Sequence, residues 1–179
     1  DDEGNNMIVL GAHNEQAIPD EEIDQALAAP DPLALVPSAD ENGHGTFLAS
    51  VAAGGEDPDQ DFTGAAPRAS IAMVKLKPAK AYLRDFYLIR EGADAYQEND
   101  IMMGVAYLLH LARRFSMPLV ICLGLGTNQG SHVGKSPLGL YLDDINIYAG
   151  TAVITAAGNE TGYGHHYRAV TRPEETLQT

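Results

Sequence analysis

The stretch IMMGVAYLLHLARRFSMPLVICLGLG, residues 101–126, predicts a helix, a turn and a strand in succession. Pro118 follows shortly after the basic pair Arg113-Arg114, so an amphipathic helix should end at this point. Residues 119–123 are continuously apolar, as in a strand covered on both faces of a sheet. The apolar face of the helix recurs at helical spacing and comprises Ile101, Val105, Leu108, Leu109 and Ala112.

The same alternation continues toward the N-terminus. Pro19 and the acids after it predict a helix that ends near Ala28, because Pro30 and Pro32 disfavour continuation. Small and apolar residues predict a second helix over 46–53, which ends at glycines. Residues 70–76 are typical of a strand, and residues 77–99 of a mixed, aromatic excursion with some helix.

Toward the C-terminus, Ser136-Pro137 predicts a helix start and Gly150 a helix end. One face of this helix would carry Leu138, Tyr141, Leu142, Ile145 and Ala149. Residues 151–156 predict another strand. Strands that alternate with helices imply a parallel sheet with right-handed crossovers, so the fold class is α/β. Three or four strands cannot close a barrel, and the sheet should be open.

Composition limits the classes of partner. The chain has 179 residues, about one domain, and 45% of them are hydrophobic, which is enough for a packed core. Acids outnumber bases 25 to 11, giving a net charge of -14, which argues against a nucleic-acid partner. No apolar stretch is long enough to span a membrane. Cys122 is the single cysteine, cannot form an internal disulfide, and is expected to be a small buried hydrophobe.

Glycine-containing motifs stand where ligands bind in open α/β sheets, beyond the carboxyl ends of strands. The apolar run ending at Leu123 leads into Gly124-Leu125-Gly126, and the run ending at Ala156 leads into Ala157-Gly158-Asn159-Glu160. A third glycine-flanked residue, His44 in Asn42-Gly43-His44-Gly45-Thr46, opens a helix. Glycines at these positions allow another chain to approach the backbone closely.

These three motifs, in this order, resemble those of subtilisin-like serine peptidases (subtilases). Gly43-His44-Gly45-Thr46 is similar to the family's histidine motif, Gly124-Leu125-Gly126 to its substrate-binding strand, and Ala156–Glu160 to its oxyanion motif. The resemblance covers about residues 38–167 and implies a partial subtilisin-like three-layer fold, with a parallel sheet and helices on both faces. Residues 126–132, the start of the helix at Ser136, and Asn159-Glu160 with His165-His166 resemble the Csp-like branch associated with spore germination.

The resemblance also implies roles for these residues. His44 would be the general base and then the general acid, since imidazole titrates near neutral pH. The amide of Asn159 would donate to the developing oxyanion. Gly124, Leu125 and Gly126 would pair with the substrate backbone as an added strand. The expected partner is a polypeptide substrate or a prodomain, with no metal and no cofactor. Secretion or association with spores follows from the resemblance alone.

Two family elements have no counterpart in the sequence. The family's aspartate follows an apolar strand upstream of the histidine, yet here residues 7–10 lead into Gly11-Ala12-His13. The Gly-Thr-Ser motif of the nucleophile is absent. The chain also has no initiator Met and opens without a signal peptide. We expect the central fragment of an endopeptidase whose Asp and Ser lie outside the chain, and which is inactive alone. The alternative is a pseudoprotease that binds peptides or a prodomain.

The expected partition is an acidic, proline-punctuated segment at 1–37, the central part of the peptidase domain at 38–167 and a tail at 168–179. Each motif has a plainer alternative. His44 could cap a helix in a turn, and Gly158-Asn159 could be an ordinary turn dipeptide. Gly130 falls one position late for a dinucleotide loop. His132, His165 and His166 could be a metal site, but no Cys or Glu stands at ligand spacing.

Overall fold

A computed structural model describes residues 7–11, 17–130, 132–165 and 169–170 of the chain. The chain divides into two compact units, Asp1–Leu119 and Val120–Thr179, and each is described by itself. The first unit carries three strands and five helices among its described residues, and the second carries most of β4, one helix and β5.

A three-stranded sheet organises the first unit. Its strands are β1 (Met7–Gly11), β2 (Ala17–Ile18) and β3 (Ile71–Lys75), in the order β2-β1-β3. β1 and β3 run parallel, as the βαβ pattern predicted, with Gly11 beside Lys75 at their ends. β2 pairs antiparallel with β1 and was not predicted, because a two-residue strand has too little periodicity to be visible in a sequence.

Five helices complete this unit: α1 (Asp20–Ala28), α2 (Pro32–Leu35), α3 (His44–Ala53), α4 (Ala81–Phe86) and α5 (Glu98–Phe115). The predicted end of α1 is confirmed. α2 was not predicted, since proline at 32 was expected only to break a helix, whereas in the structure it occupies the first turn, where its missing N–H costs nothing. α3 begins two residues earlier than predicted, for a reason given with the site.

The amphipathic helix α5 packs its predicted face inward. Val105 is 2% exposed, and none of the five predicted positions is fully exposed. Gly104 lies against Val74 of β3, where a methyl group would come within 3.0 Å of that side chain. Asp100 in the first turn of α5 pairs with Lys77 at 3.2 Å, which ties the start of the helix to the chain just past β3. The sequence pattern of α5 therefore predicted its inward face, except that Leu111, which is 6% exposed, was not among the predicted positions.

The second unit is a strand–helix–strand unit: β4 (Leu119–Leu123), α6 (Pro137–Asn146) and β5 (Thr151–Thr155). β4 and β5 are neighbours, and the N–H of Ala156 donates to the carbonyl of Leu123 at 3.1 Å. Since both residues stand at carboxyl ends, the strands run parallel. Ser136 caps α6 as predicted, its Oγ accepting from the Gly139 N–H at 3.0 Å.

Three expectations for this unit were wrong. β4 is not covered on both faces, because Ile121 is 2% exposed while Val120 is 71% exposed, and Cys122 is exposed rather than buried. The β4–β5 pair has one uncovered face, to which Val120 and Ile154 both contribute. The helix α6 ends at Asn146, short of Ala149, where the Asn146 side chain accepts the Val153 N–H at 2.9 Å.

None of the helices that the structure describes is both long enough and apolar enough to cross a lipid bilayer.

The C-terminal end of α3 is closed by backbone from residues 64–66. The N–H groups of Gly64, Ala65 and Ala66 donate to carbonyls of Gly54, Val51 and Ala52 at 2.8–3.0 Å. Such an approach requires glycine: a Cβ on Gly64 would lie 2.4 Å from the Gly54 nitrogen. The helix that begins at His44 is therefore held at its far end by main-chain contact.

Substitution of Gly64 with alanine should therefore destabilise the protein. Because the clash is with backbone, which cannot rotate away, we expect a loss of about 1–3 kcal/mol in the free energy of unfolding, measured by denaturant titration. Gly55→Ala is the control, since nothing lies within 4 Å of its added methyl group. Equal stability of the two variants would contradict the backbone contact.

Candidate functional site

His44 is the first residue of α3 and is exposed. Gly43 precedes it as the helix N-cap, with φ of 80°, a left-handed conformation that glycine adopts without strain. Gly43 has no side chain with which to accept an N–H of the first turn, so the usual capping interaction must come from another residue.

Asp40 supplies that interaction from outside the helix. One carboxylate oxygen accepts the N–H groups of Asn42 at 3.2 Å and Gly43 at 2.8 Å. The other accepts the N–H of Thr46 at 2.9 Å and its hydroxyl at 2.8 Å. Because the Thr46 N–H is satisfied from Asp40, the helix starts at His44 rather than at Thr46, which corrects the predicted start.

This role of Asp40 was not predicted from the sequence. Both oxygens are engaged with the turn that carries His44, so Asp40 orients the backbone of that residue. The signal was present: an aspartate two to three residues before amide donors, ahead of a helix, is typical of a side chain that bonds its own backbone. Lys75 adds a second restraint, because its Nζ donates to the carbonyl of Ala39.

The hydrogen bonds also perturb the acidity of Asp40. The amide and hydroxyl of Thr46, followed by the amide of Gly43, lower the pKa of Asp40 to about 2. These donors favour the charged carboxylate over the protonated acid. The folded pKa therefore lies below the unfolded value of about 3.9, and the stabilisation is complete above that value.

We expect Asp40→Asn to lower the melting temperature by roughly 2–4 °C at neutral pH, because the uncharged amide accepts fewer and weaker bonds. The difference between wild type and variant should shrink as the pH falls from about 4 toward 2, as the wild-type carboxylate is protonated. Thermal unfolding followed by circular dichroism at several pH values measures it. A difference that stayed constant down to pH 2 would refute the charged cap.

In the second unit, Gly124, Leu125 and Gly126 follow directly on the last residue of β4. Leu125 is half-buried, Gly126 is exposed, and nothing lies within 4 Å of a methyl group placed on Gly126. The backbone on this side of Gly126 is therefore open to another chain. That these residues bind a substrate strand stays a prediction.

Asn159 lies at the same end of the β4–β5 pair. Gly158 before it has φ of 87°, and the Glu160 carboxylate folds over Gly158, 2.5 Å from where a Cβ would stand. The positive φ favours glycine at 158, whereas the exposed Glu160 side chain could move aside for a methyl group. Asn159 is exposed, and its side-chain amide makes no hydrogen bond to any residue that the structure describes. Its amide is free to donate to a ligand.

The loops that follow β4 and β5 meet through residues for which no catalytic role was predicted. Asn128 Nδ2 bonds His165 Nδ1 at 2.8 Å, and the Asn128 carbonyl accepts from His132 Nε2 at 2.6 Å. An open depression of about 260 Å³ lies between the loops, lined by Asn128, His132, Ala157, Gly158, Glu160, Thr161 and His165. In the sequence, these residues appear as two histidines and an asparagine near glycines. Such a pattern is only a weak indication of a metal site.

The structure thus places Asn159 and Gly124–Gly126 in one unit, each just past the carboxyl end of one of two parallel strands. His44 lies in the other unit, so its acting on the same peptide bond as Asn159 stays a prediction. Among the described residues, no group of three or more His, Cys, Asp or Glu side chains could hold a metal ion. His166, one of the three histidines of the possible metal site, lies outside the described residues.

Comparison with known proteins identifies the family. The sequence model of the subtilase family matches residues 21–177, most of the chain. The chain belongs to the subtilase family. A solved structure, the CspB protease of Clostridium perfringens, is similar to this subtilase with a TM-score of 0.74 and 31% sequence identity, over 86% of this chain. The Csp-like resemblance and the partial α/β subtilisin-like fold are thereby confirmed.

The similarity extends over only part of the CspB protease. The chain covers 31% of the length of the CspB chain. No curated protein is similar enough to count as a match.

Proposed function

We propose that this subtilase chain is the central part of a serine endopeptidase of the Csp-like branch, whose catalytic Asp and Ser lie outside the chain. One observation carries the proposal: the amide of Asn159, which makes no hydrogen bond to the described residues, follows β5 at the same end of the strand pair at which Gly124–Gly126 follow β4. A hydrogen-bond donor with no partner among the described residues, at this end of the pair, suits a developing oxyanion on a peptide that is held as an added strand.

Each residue has a separate part in the reaction. The hydroxyl of the serine outside this chain attacks the peptide carbonyl, and His44 Nε2 takes its proton. The amide of Asn159 donates to the oxygen as it becomes negative. His44 then protonates the leaving amine, and water hydrolyses the acyl-enzyme by the same steps in reverse. Asp40 keeps the backbone of His44 in place and is not the triad aspartate, since both its oxygens serve the turn.

The partner that fits this chemistry is a polypeptide substrate or a prodomain, and the reaction uses no cofactor. Secretion or association with spores is proposed from the resemblance to the Csp-like branch. A fluorophosphonate probe, which labels only an activated serine, tests the activity on the full-length protein. We expect labelling of one serine in the wild type and its loss in His44→Ala. An unlabelled, folded wild type would refute the endopeptidase.

One observation favours the second candidate, a pseudoprotease that binds peptides without cutting them. β1 is an apolar strand upstream of His44, the kind of strand that the family's aspartate follows, but it ends at Gly11 and leads into Ala12-His13. No carboxylate occupies that place in the sequence. A folded wild type that retained peptide or prodomain binding without fluorophosphonate labelling would support this candidate.

A further inference from the structure

Asn128 cross-links the two loops of the second unit. Its side chain reaches from the loop after β4 to His165 in the loop after β5, while its carbonyl is held by His132. A backbone bond from Ala156 to Leu123 also joins the two sides, but it lies at the strand ends. Asn159 stands between the two attachment points, three residues beyond Ala156 and six before His165.

The glycines of the segment between these two attachment points give its backbone few intrinsic conformational restraints. Gly158, Gly162 and Gly164 all have positive φ, at 87°, 93° and 68°, and glycine loses more conformational freedom on ordering than any other residue. Asn159 makes no hydrogen bond of its own to the described residues. The direction of its amide therefore depends on how the flanking backbone is held, and Asn128 holds the far side.

We propose that Asn128 is a positioning residue: through its bond to His165 it orders residues 158–165 and so aims the amide of Asn159 at the oxyanion. The kinetic part of this inference rests on the proposed peptidase function. The structural part does not, because the Asn128–His165 bond exists independently of any reaction.

The bond has a defined direction of donation. Asn128 Nδ2 donates, so His165 Nδ1 must be the unprotonated acceptor, with its proton on Nε2. His132 and Glu160 line the same depression, and the Tyr163 ring stacks on His165 with centroids 5.7 Å apart. A second proton on His165 would turn the acceptor into a donor and break the bond. A carboxylate at 128 would accept from that donor instead.

The kinetic test uses Asn128→Ala in the full-length protein with a peptide substrate. Misaimed donors lower turnover without weakening ground-state binding, so we expect kcat to fall by about 10- to 100-fold and KM to change by less than about twofold. Gln129→Ala is the matched control, because its exposed side chain has no role in the cross-link and alanine keeps the N–H that bonds Thr127. A wild-type kcat in Asn128→Ala would overturn the proposal.

A conservative variant separates positioning from a general loss of structure. The kcat of Asn128→Asp, divided by that of the wild type at the same pH, should be higher at acidic than at neutral pH, because a carboxylate at 128 accepts from a protonated His165 ring. The ratio removes the effect of protonating His44, which both proteins share. A ratio independent of pH would contradict the assigned donor and acceptor.

Hydrogen exchange tests the Asn128–His165 cross-link without a measurement of peptidase activity. The amide of Tyr163, which donates to the Glu160 carbonyl at 3.1 Å, should exchange about tenfold faster in Asn128→Ala than in the wild type, and at the wild-type rate in Gln129→Ala. Faster exchange in a protein that lacks peptidase activity would refute the proposed function and support the cross-link. Unchanged exchange in Asn128→Ala would refute the cross-link, whatever the activity.

Discussion

Replacing His44 with alanine is expected to lower kcat of the full-length peptidase by a factor on the order of 10⁴ to 10⁶. Without the imidazole no group takes the proton of the serine hydroxyl, and the leaving amine is not protonated. The contributions of the oxyanion donor and of substrate binding would remain, so KM should change little. Steady-state kinetics on a peptide substrate, with kcat and KM determined separately, measures the effect.

The fold should survive this change. His44 is exposed, and the turn that carries it is held by hydrogen bonds from backbone and Thr46 to Asp40, none of which uses the imidazole. The melting temperature should therefore stay close to that of the wild type. His110→Ala, at an exposed position of α5, is the control and should retain full turnover. Substantial turnover in a pure, folded His44→Ala preparation would show that another group is the base.

The second large effect is expected from Asn159→Ala, which should lower kcat by about 100- to 1,000-fold with KM nearly unchanged. The reason is that the amide bond forms with the oxyanion and contributes little to the ground state. This loss is the one typically seen when a single oxyanion-hole donor is removed. The known example is itself an asparagine of a subtilisin. Kinetics with the same peptide substrate measures it.

Asn159→Asp is the matched variant, because it preserves shape while replacing the donor by an acceptor. It should be at least as impaired as Asn159→Ala, since the carboxylate repels the developing charge. Neither change should reduce stability, because Asn159 is exposed and makes no hydrogen bond to the described residues. If Asn159→Asp kept wild-type kcat, Asn159 would not be the oxyanion donor.

Local patterns predicted the regular elements well. The bounds of α1, the packed face of α5 and the cap of α6 all follow from short-range chemistry: proline and acids at a helix start, apolar spacing of three and four, and a serine before proline. Each of these signals acts within one or two turns of chain. The motif residues His44, Asn159 and Gly124–Gly126 were identified for a similar reason, since glycine next to a polar residue is visible without knowing what faces it.

The features that were predicted wrongly or not at all have a different cause. Cys122 and Val120 were expected to be buried, because an apolar run does not reveal whether a second layer covers it. β2 is defined only by its partner β1. Asp40 was visible as an acid before a helix, yet its four hydrogen bonds depend on a turn geometry that the residues adopt only when the chain folds back.

The sequence by itself determined the family, the order of helices and strands, and which residues could carry a proton or donate to an oxyanion. Only the tertiary structure decided that Asp40 serves the histidine turn and that Asn128 joins two loops 37 residues apart in sequence. The physical reason is range: propensity and periodicity act between neighbours along the chain, whereas a hydrogen bond between loops exists only once strand pairing has brought them within about 3 Å.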